Sequence, residues 1–297
     1  MKIVRPRNPF QFGLWMQTAI YTILALVAFA GNSVLCRVAL RSGSIDPASF
    51  STIRFASGAL TLLLVTAFTG KRGMSSGSWT SAGILFLYAI PFSFAYTRVS
   101  AATGALILFG VVQLTMIIAG LWKGERPRPL QWFGLGLSIV GLVYLLLPGI
   151  GKPSLPGAAM MSLAGFGWGA YSLRGRGAGS PLEQTTSNFV RSVPLILAVS
   201  LLTMRQLHIE GVGVLFAGIS GVVASGAGYV IWYSALRGLT ATRAAVVQLA
   251  VPILAAAGGV VILGESLSPR LIISSAMVLG GIAIAIRGQT PSPNGKC

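Results

Sequence analysis

Charged and catalytically useful side chains are scarce in this chain of 297 residues. Only 9% of the residues are Asp, Glu, Lys or Arg, and the chain has five acids, one His and two Cys. His208 lies in a polar stretch, and Cys36 and Cys297 lack the spacing of a metal site or of a structural disulfide. Because protein metal sites are usually built from several Cys, His or acidic ligands, we expect no metal and no cofactor.

What the chain has in excess is apolar surface. Hydrophobic residues make up 54% of it and its mean hydropathy is +0.79, whereas soluble proteins carry roughly 25% charged residues. The 22 Lys and Arg, which give a net charge of +17, stand singly or in small groups between apolar runs. This pattern is typical of loops that contact anionic headgroups, so we expect a lipid bilayer as partner, and no nucleic acid.

Ten segments are long and apolar enough to cross a bilayer as helices, since a span needs about 20 residues. We therefore predict an all-α polytopic membrane protein with ten transmembrane helices and short loops. The first segment is longer than the apolar core of a signal peptide, roughly 7–15 residues, so we expect it to remain as a span. The predicted spans are 15–40, 48–70, 79–97, 100–122, 130–148, 155–173, 183–203, 212–236, 241–263 and 270–287.

Successive loops lie on alternate sides of the membrane, and the basic residues are distributed unequally between these two sides. Fourteen of them, from Lys2 to Lys296, fall on the side of both termini, and five, such as Arg41 and Arg98, fall on the other side. Because cytoplasmic loops are the ones enriched in Lys and Arg, we predict that both termini are cytoplasmic. The chain is expected to be a multi-pass protein of the cell (inner) membrane.

The two halves of the sequence, 1–150 and 151–297, resemble each other. Gly124-Glu125 recurs as Gly264-Glu265 at a spacing of 140 residues, and Arg37 and Arg54 recur as Arg174 and Arg191 at a spacing of 137. Since five spans is an odd number, the second repeat is predicted to cross the membrane inverted relative to the first. Inverted repeats are typical of alternating access around a site at the bilayer midplane.

These residues also carry a family resemblance. With Pro47 and Arg54 in the second span and a Gly-Glu pair before the fifth and tenth, the chain resembles the drug/metabolite transporter superfamily, specifically its ten-helix EamA-type exporters. It is most similar to the amino-acid exporters, including those of aromatic amino acids. The resemblance implies a small-molecule substrate and a cavity enclosed by spans one to four and six to nine, with spans five and ten outside it. Drug and nucleotide-sugar carriers of the superfamily are the alternatives.

Polar and aromatic residues deep in the spans are the candidates for binding an amphipathic substrate such as an apolar or aromatic amino acid. An amide or hydroxyl that faces hydrocarbon is costly, so each should face protein groups or an aqueous cavity. The alternatives are hydrogen bonds between helices and, for Tyr96 and Tyr171, an aromatic belt at the headgroups. The predicted substrate-binding residues are Trp168, Tyr88, Trp232, Gln248, Gln113, Asn32, Tyr96 and Tyr171.

A second set is predicted to act in gating. Glu265 should lie on one side with Arg54 and Arg37, and acids such as Glu125 on the other with arginines such as Arg191, so that ion pairs latch each side in turn. Arginines near span ends can instead extend to headgroups, and prolines can form fixed kinks instead of hinges. The predicted gating residues are Arg54, Arg191, Glu265, Glu125, Pro91 and Pro252.

The positions of the five acids bear on mechanism. All of them fall in loops or at helix ends, whereas proton-coupled carriers usually bury a titratable group. We therefore predict transport that does not depend on a carboxylate in the bilayer. A polytopic membrane enzyme is the main alternative class, but no grouped base, nucleophile or metal cluster is present for one, so we expect no enzyme. The sequence gives no signal for an oligomeric state.

Overall fold

The computed structural model of the chain describes residues 9–71, 76–122, 128–147, 153–175, 180–236, 239 and 247–287. Over these residues the chain forms ten helical segments and no strand, which confirms the predicted all-α class. The helices are α1 (Pro9–Arg41), α2 (Pro47–Phe68), α3 (Trp79–Tyr96), α4 (Ala101–Trp122), α5 (Pro129–Leu146), α6 (Leu155–Gly175), α7 (Pro181–Leu202), α8 (Gly211–Leu236), α9 (Ala250–Leu263) and α10 (Pro269–Arg287).

Local sequence signals fix the helix ends. Pro47, Pro129 and Pro181 stand in the first turns of α2, α5 and α7, where the missing amide hydrogen has no helical partner to lose. Asp46 caps α2 by accepting hydrogen bonds from the amides of the second and third residues after it, at 3.0 and 2.9 Å. After α9, Gly264 adopts the left-handed conformation at φ 61°, which ends the helix and starts the loop to α10.

Large apolar side chains cover the outside of the bundle. Phe68, Trp122 and Val261 are more than four-fifths exposed, as expected of side chains that face lipid. Among the residues that the structure describes, seven helices meet the length and hydropathy of a membrane span. Helix α6 is rich in glycine and less apolar, and α9 is shorter than predicted: of its predicted span 241–263, residues 241–246 lie outside the described chain.

The two halves pack through equivalent contacts. Exchanging α1–α5 with α6–α10 maps the contact of α3 with α6 onto that of α8 with α1, and the contact of α3 with α7 onto that of α8 with α2. The α2–α7 and α5–α10 contacts map onto themselves. A two-fold exchange of this kind, between halves of five spans each, is the arrangement that the inverted repeat predicts.

Small residues bring α5 and α10 into backbone contact. A β-carbon at Gly134 would lie against the carbonyl oxygen of Gly281 and the backbone nitrogen of Ala285. Ser138 donates to the carbonyl of Val278 on α10 at 3.2 Å. Close approach through small residues is the usual way in which helices associate in lipid. It holds the two outermost helices together, away from the centre of the bundle.

Helix α8 is irregular at its centre. Residues Ser220–Ala227 form a π-helical segment between two α-helical parts, Gly211–Ile219 and Gly228–Leu236. Gly221 lies in this segment, and a β-carbon there would lie against the backbone carbonyl of Arg54 on α2. π-helical segments are rare and often occur at functional sites. This one brings α8 against α2 in the middle of the bundle.

The two predicted hinge prolines differ in their surroundings. Pro91 lies inside α3, where it removes one helical hydrogen bond, as the sequence predicts. Pro252 lies in the first turn of α9, directly after a turn at Leu249 that separates α9 from the helical residues 247–248, so the predicted ninth span is interrupted beside it. A further proline, Pro194, lies inside α7. Whether any of them moves during transport stays a prediction.

Candidate functional site

A cavity lies in the middle of the bundle, between the two halves. Its accessible volume is about 20 Å³, room for one water molecule, so the side chains that line it lie close together. Within the described part of the chain, six helices line it, α1 to α4 from the first half and α6 and α8 from the second, whereas α5 and α10 do not. The lining residues are Phe29, Asn32, Ser33, Arg54, Tyr88, Phe92, Leu108, Phe109, Trp168, Ala224 and Tyr229.

Aromatic rings form one wall of this cavity. The ring centroids of Tyr88 and Trp168 are 5.1 Å apart, and those of Trp168 and Tyr229 are 5.4 Å apart with the planes perpendicular. Phe29 meets Trp168 and Tyr229 edge to face at 6.5 and 6.0 Å. Aromatic pairs favour such geometries, and rings on helices from both halves meet here. The wall therefore offers broad apolar faces with hydroxyl and indole N–H groups at their edges.

The charged residue of the cavity is Arg54, whose side chain is 1% exposed. Its Nε donates to Ser225 Oγ at 3.0 Å and its Nη2 donates to Tyr88 Oη at 2.9 Å. The guanidinium carbon lies 5.0 Å from the ring centre of Phe92 and 5.4 Å from those of Tyr88 and Phe55. Cation–π contacts of this kind compensate in part for the loss of water around the charge.

This position corrects two expectations for Arg54. The side chain neither extends to the headgroups nor pairs with Glu265, because Ser225 and Tyr88 hold it toward the centre of the bundle. Within the described residues no carboxylate forms an ion pair with it, and its Nη1 is buried without a hydrogen-bond partner. The cavity wall therefore carries a positive charge that the described protein groups do not neutralise.

A hydrogen-bond network connects Arg54 to the opposite side of the cavity. Asn32 donates from Nδ2 to Tyr88 Oη at 3.3 Å, and its Oδ1 accepts a bond from Ser220 Oγ at 2.7 Å. Tyr88 Oη thus accepts from both Asn32 and Arg54, so its own hydroxyl hydrogen is a donor that these two bonds do not use. Helices α1, α2, α3 and the π-helical segment of α8 are joined by these bonds.

Of the eight predicted substrate-binding residues, Asn32, Tyr88 and Trp168 line the cavity. Trp232 does not: it packs with Ala25 and Ala235 behind Phe29, at 5.8 Å between ring centroids. The π-helical segment changes the phase of the residues that follow it in α8, so Tyr229 faces the cavity in place of Trp232. A regular 3.6-residue period therefore does not apply across this segment.

The other four predicted binding residues also lie elsewhere. Tyr96, the last residue of α3, is buried and meets Phe92 edge to face at 4.8 Å, so it lies neither in the cavity wall nor in a belt at the surface. Tyr171 is buried and accepts a hydrogen bond from Asn188 at 3.2 Å. Gln113 is buried on α4 away from the lining, and Gln248 is half-buried in the helical residues 247–248, just before the turn that precedes α9. Depth along a helix was predictable for these residues, but the face on which each lies was not.

An ion pair closes the end of the bundle opposite the chain termini, which we call the far end. Arg37 Nε contacts Glu265 Oε1 at 3.0 Å, and Arg37 Nη1 donates to the carbonyl of Tyr96 at 2.7 Å. Glu265 Oε2 accepts the amide of Ala101, at the start of α4, at 2.8 Å. This far-end clamp (Arg37, Tyr96, Ala101 and Glu265) joins α1, α3 and α4 to the loop before α10. It contains the predicted Arg37–Glu265 contact.

Neutral hydrogen bonds connect the helices at the terminal end, where α1 begins and α10 ends. Asn188 on α7 accepts the amide of Ser78 at 3.0 Å, and Thr185 donates to Tyr233 Oη at 3.1 Å. Arg191 donates to Ser187 on its own helix, and Arg174 on α6 donates to Ser81 at 3.1 Å. The predicted partner Glu125 lies outside the described residues, so its pairing stays a prediction.

Some lining residues could have been found from the repeat. The spacing of 137 residues that relates Arg54 to Arg191 also relates Tyr88 to Ser225, and Phe92 to Tyr229. Tyr88 and Ser225, the two side chains that hold the Arg54 guanidinium, therefore occupy equivalent positions in the two halves. Sequence analysis missed Ser225 because a serine on an apolar helix carries no signal of its own. No group of three potential metal ligands occurs in the described part of the chain.

Comparison with known proteins agrees with this architecture. Residues 16–147 and 155–287 each match the EamA-like transporter family, which confirms the family resemblance and a two-repeat architecture. An uncharacterised protein of Pseudomonas aeruginosa is 47% identical over 271 residues, 91% of this chain and 94% of that protein.

Two more distant similarities are informative. A probable amino-acid metabolite efflux pump of Salmonella typhimurium is 25% identical over 203 residues, 63% of this chain and 68% of that protein. A solved crystal structure has the same fold, with a TM-score of 0.62 at 20% identity over 88% of this chain and 96% of that chain. With both halves matched by the family model, this chain is a multi-pass membrane protein that belongs to the EamA-like transporter family.

Proposed function

We propose that the chain exports amino acids with apolar or aromatic side chains across the inner membrane by alternating access at the central cavity. The observation that carries this proposal is the aromatic wall formed by Tyr88, Trp168 and Tyr229, which is contributed by helices of both halves at mid-depth of the bundle. The similarity to a probable amino-acid metabolite efflux pump supports the choice of substrate class.

The chemistry of the wall suits such a substrate. An aromatic or aliphatic side chain would contact the flat faces of Trp168 and Tyr229, since rings bury much apolar area at low entropic cost. The polar backbone end of the substrate would then lie toward Arg54, Asn32 and Tyr88. Binding sites for small molecules commonly combine an apolar wall with a few polar groups in this way.

Alternating access needs contacts that break on one side while the other stays closed. The far-end clamp supplies an ion pair between the halves of the chain, Arg37 from the first and Glu265 from the second. The terminal end supplies neutral bonds between α3 and α7 and between α7 and α8. We propose that these two sets open in turn, and that no titrating carboxylate in the cavity is required for this.

The aromatic wall is tested by replacing one ring on each face of α6. Trp168→Ala should lower amino-acid flux in proteoliposomes by about tenfold, because it removes a stacking surface worth roughly 1–2 kcal/mol. Phe166→Ala removes a ring from the exposed face of the same helix and should leave flux within about twofold. Equal fluxes of the two variants would place the substrate away from this wall.

The predicted orientation is tested with the native cysteines. Cys36 is buried in α1, so a membrane-impermeant maleimide should react with Cys297. We expect labelling in inside-out membrane vesicles and none in intact cells, because both termini are predicted to be cytoplasmic. Cys297→Ser is the control and should abolish the signal. Labelling of intact cells would reverse the orientation and with it the assignment of the far end to the outside.

A further inference from the structure

Arg54 gives the cavity a fixed charge. A guanidinium stays protonated at any physiological pH, and burying it without a counter-charge is costly. Among the described residues the charge is compensated by hydroxyl groups and aromatic faces, with no carboxylate paired to it. We infer that the missing counter-charge is a carboxylate of the substrate, and that Arg54 is the residue that selects for it; this rests on the transport function proposed above.

The guanidinium is oriented so that one of its nitrogens is left for a ligand. Ser225 and Tyr88 accept from Nε and Nη2, at 3.0 and 2.9 Å, and these two bonds fix the plane of the group. Nη1 is buried and has no hydrogen-bond partner among the described residues. Buried donors in native proteins are nearly always paired, so an unpaired one in a cavity wall indicates a ligand contact. Tyr88 and Asn32 place neutral donors beside it.

A carboxylate suits this site better than a phosphate. Arg54 is the cation among the lining residues that the structure describes, and Arg37, which lies toward the far end, is already paired with Glu265. One guanidinium balances a single negative charge, whereas a phosphate monoester carries about two. A carboxylate bound at Arg54 would leave the faces of Trp168 and Tyr229 to the side chain of an amino acid. An organic cation without a carboxylate would be repelled by the Arg54 guanidinium and would leave its charge without a counter-ion.

The test compares ligands that share one ring and differ in charge. The affinities of purified protein for 3-phenylpropanoate, phenethylamine and phenyl phosphate are measured by isothermal titration calorimetry. Wild-type protein should bind 3-phenylpropanoate at least about tenfold more tightly than the other two, the factor expected from one charge-assisted hydrogen bond. Equal or tighter binding of phenethylamine overturns the inference, and tighter binding of phenyl phosphate overturns the choice of a carboxylate. This comparison uses wild-type protein only, so it does not depend on whether any variant folds.

Variants of Arg54 then test whether this residue causes the preference for a carboxylate ligand. Arg54→Met should lower the affinity for 3-phenylpropanoate by about tenfold or more, and Arg54→Lys, which keeps the charge but cannot hold both Ser225 and Tyr88, should lower it less. Arg98→Met removes the same charge from an exposed position and should change nothing. An Arg54→Met affinity within about twofold of wild type overturns the inference.

The inference and the proposed function fail in different ways. If wild-type proteoliposomes carry L-phenylalanine and Arg54→Met vesicles carry it equally fast, transport stands and the carboxylate site falls. If wild-type vesicles carry no amino acid while purified protein still discriminates 3-phenylpropanoate from phenethylamine through Arg54, the site stands and the proposed substrate class falls. Each result therefore assigns the failure to one statement.

Discussion

Leucine in place of Gly134 should push α5 away from α10 and destabilise the bundle. A β-carbon at this position would lie against backbone atoms of Gly281 and Ala285, which cannot move aside as a flexible side chain can. Overpacking of this kind costs roughly 1–3 kcal/mol where side chains can adjust, and more where backbones meet. In detergent we expect the melting temperature to fall by roughly 5–10 °C and the yield of monodisperse protein to fall with it.

The matched control lies two residues away on the same helix. Gly136 is exposed, and a β-carbon there would meet nothing within 4 Å. Gly136→Leu makes the same chemical change on the surface that faces lipid, so it should melt within about 2 °C of wild type. Similar melting of Gly134→Leu and Gly136→Leu would contradict the close α5–α10 contact on which the two-fold arrangement partly rests.

Removing Glu265 should open the far end of the bundle. Glu265→Ala leaves Arg37 and the amide of Ala101 without their partner, and the two charged side chains are only 15% and 8% exposed. Breaking a buried pair by removing one member costs roughly 3–5 kcal/mol, which corresponds to a shift of about 100-fold or more between closed and open states. Cys36, adjacent to Arg37 and fully buried, reports the opening in a Cys297→Ser background.

The readout is the reaction rate of Cys36 with a membrane-impermeant thiol reagent. We expect Glu265→Ala to raise this rate by about 100-fold and Glu265→Gln, which keeps an acceptor, to raise it less. Glu210→Ala removes an acid that is 58% exposed at the same end and should leave the rate unchanged. Adding Arg37→Ala to Glu265→Ala should bring the rate partly back, because the uncompensated charge is gone. Unchanged labelling in Glu265→Ala would show that the clamp does not hold this end closed.

Sequence patterns predicted the helices well because each boundary has a local cause. Asp46 caps α2, Pro129 starts α5 and Gly264 ends α9, and all three signals lie within a few residues of the ends that they set. Long apolar runs require membrane spans, and an odd number of spans in each repeat implies inversion. The Arg37–Glu265 contact was predictable in part, since both residues fall on the same side of the predicted topology.

The cavity wall depends on long-range geometry that local patterns do not contain. Arg54 is held by Ser225, which is 171 residues away in sequence, so its depth in the bundle could not be read from α2 alone. Spans that are apolar on most faces give no period from which to orient them, and this is why Gln113 and Tyr171 were predicted in the cavity. In α8 the π-helical segment shifts the register, which exchanges Trp232 for Tyr229.

The claim that the central cavity carries amino acids by alternating access is tested most directly by counterflow. Proteoliposomes loaded with unlabelled L-phenylalanine and held at equal pH on both sides are diluted into tracer L-phenylalanine. A carrier with one site that faces each side in turn exchanges internal for external substrate, so the label inside the vesicles should rise transiently above its equilibrium level. This overshoot should occur without proton movement. Trp168→Ala vesicles should lose most of it. Simple equilibration without overshoot, or an overshoot that appears only with an imposed proton gradient, would contradict the account.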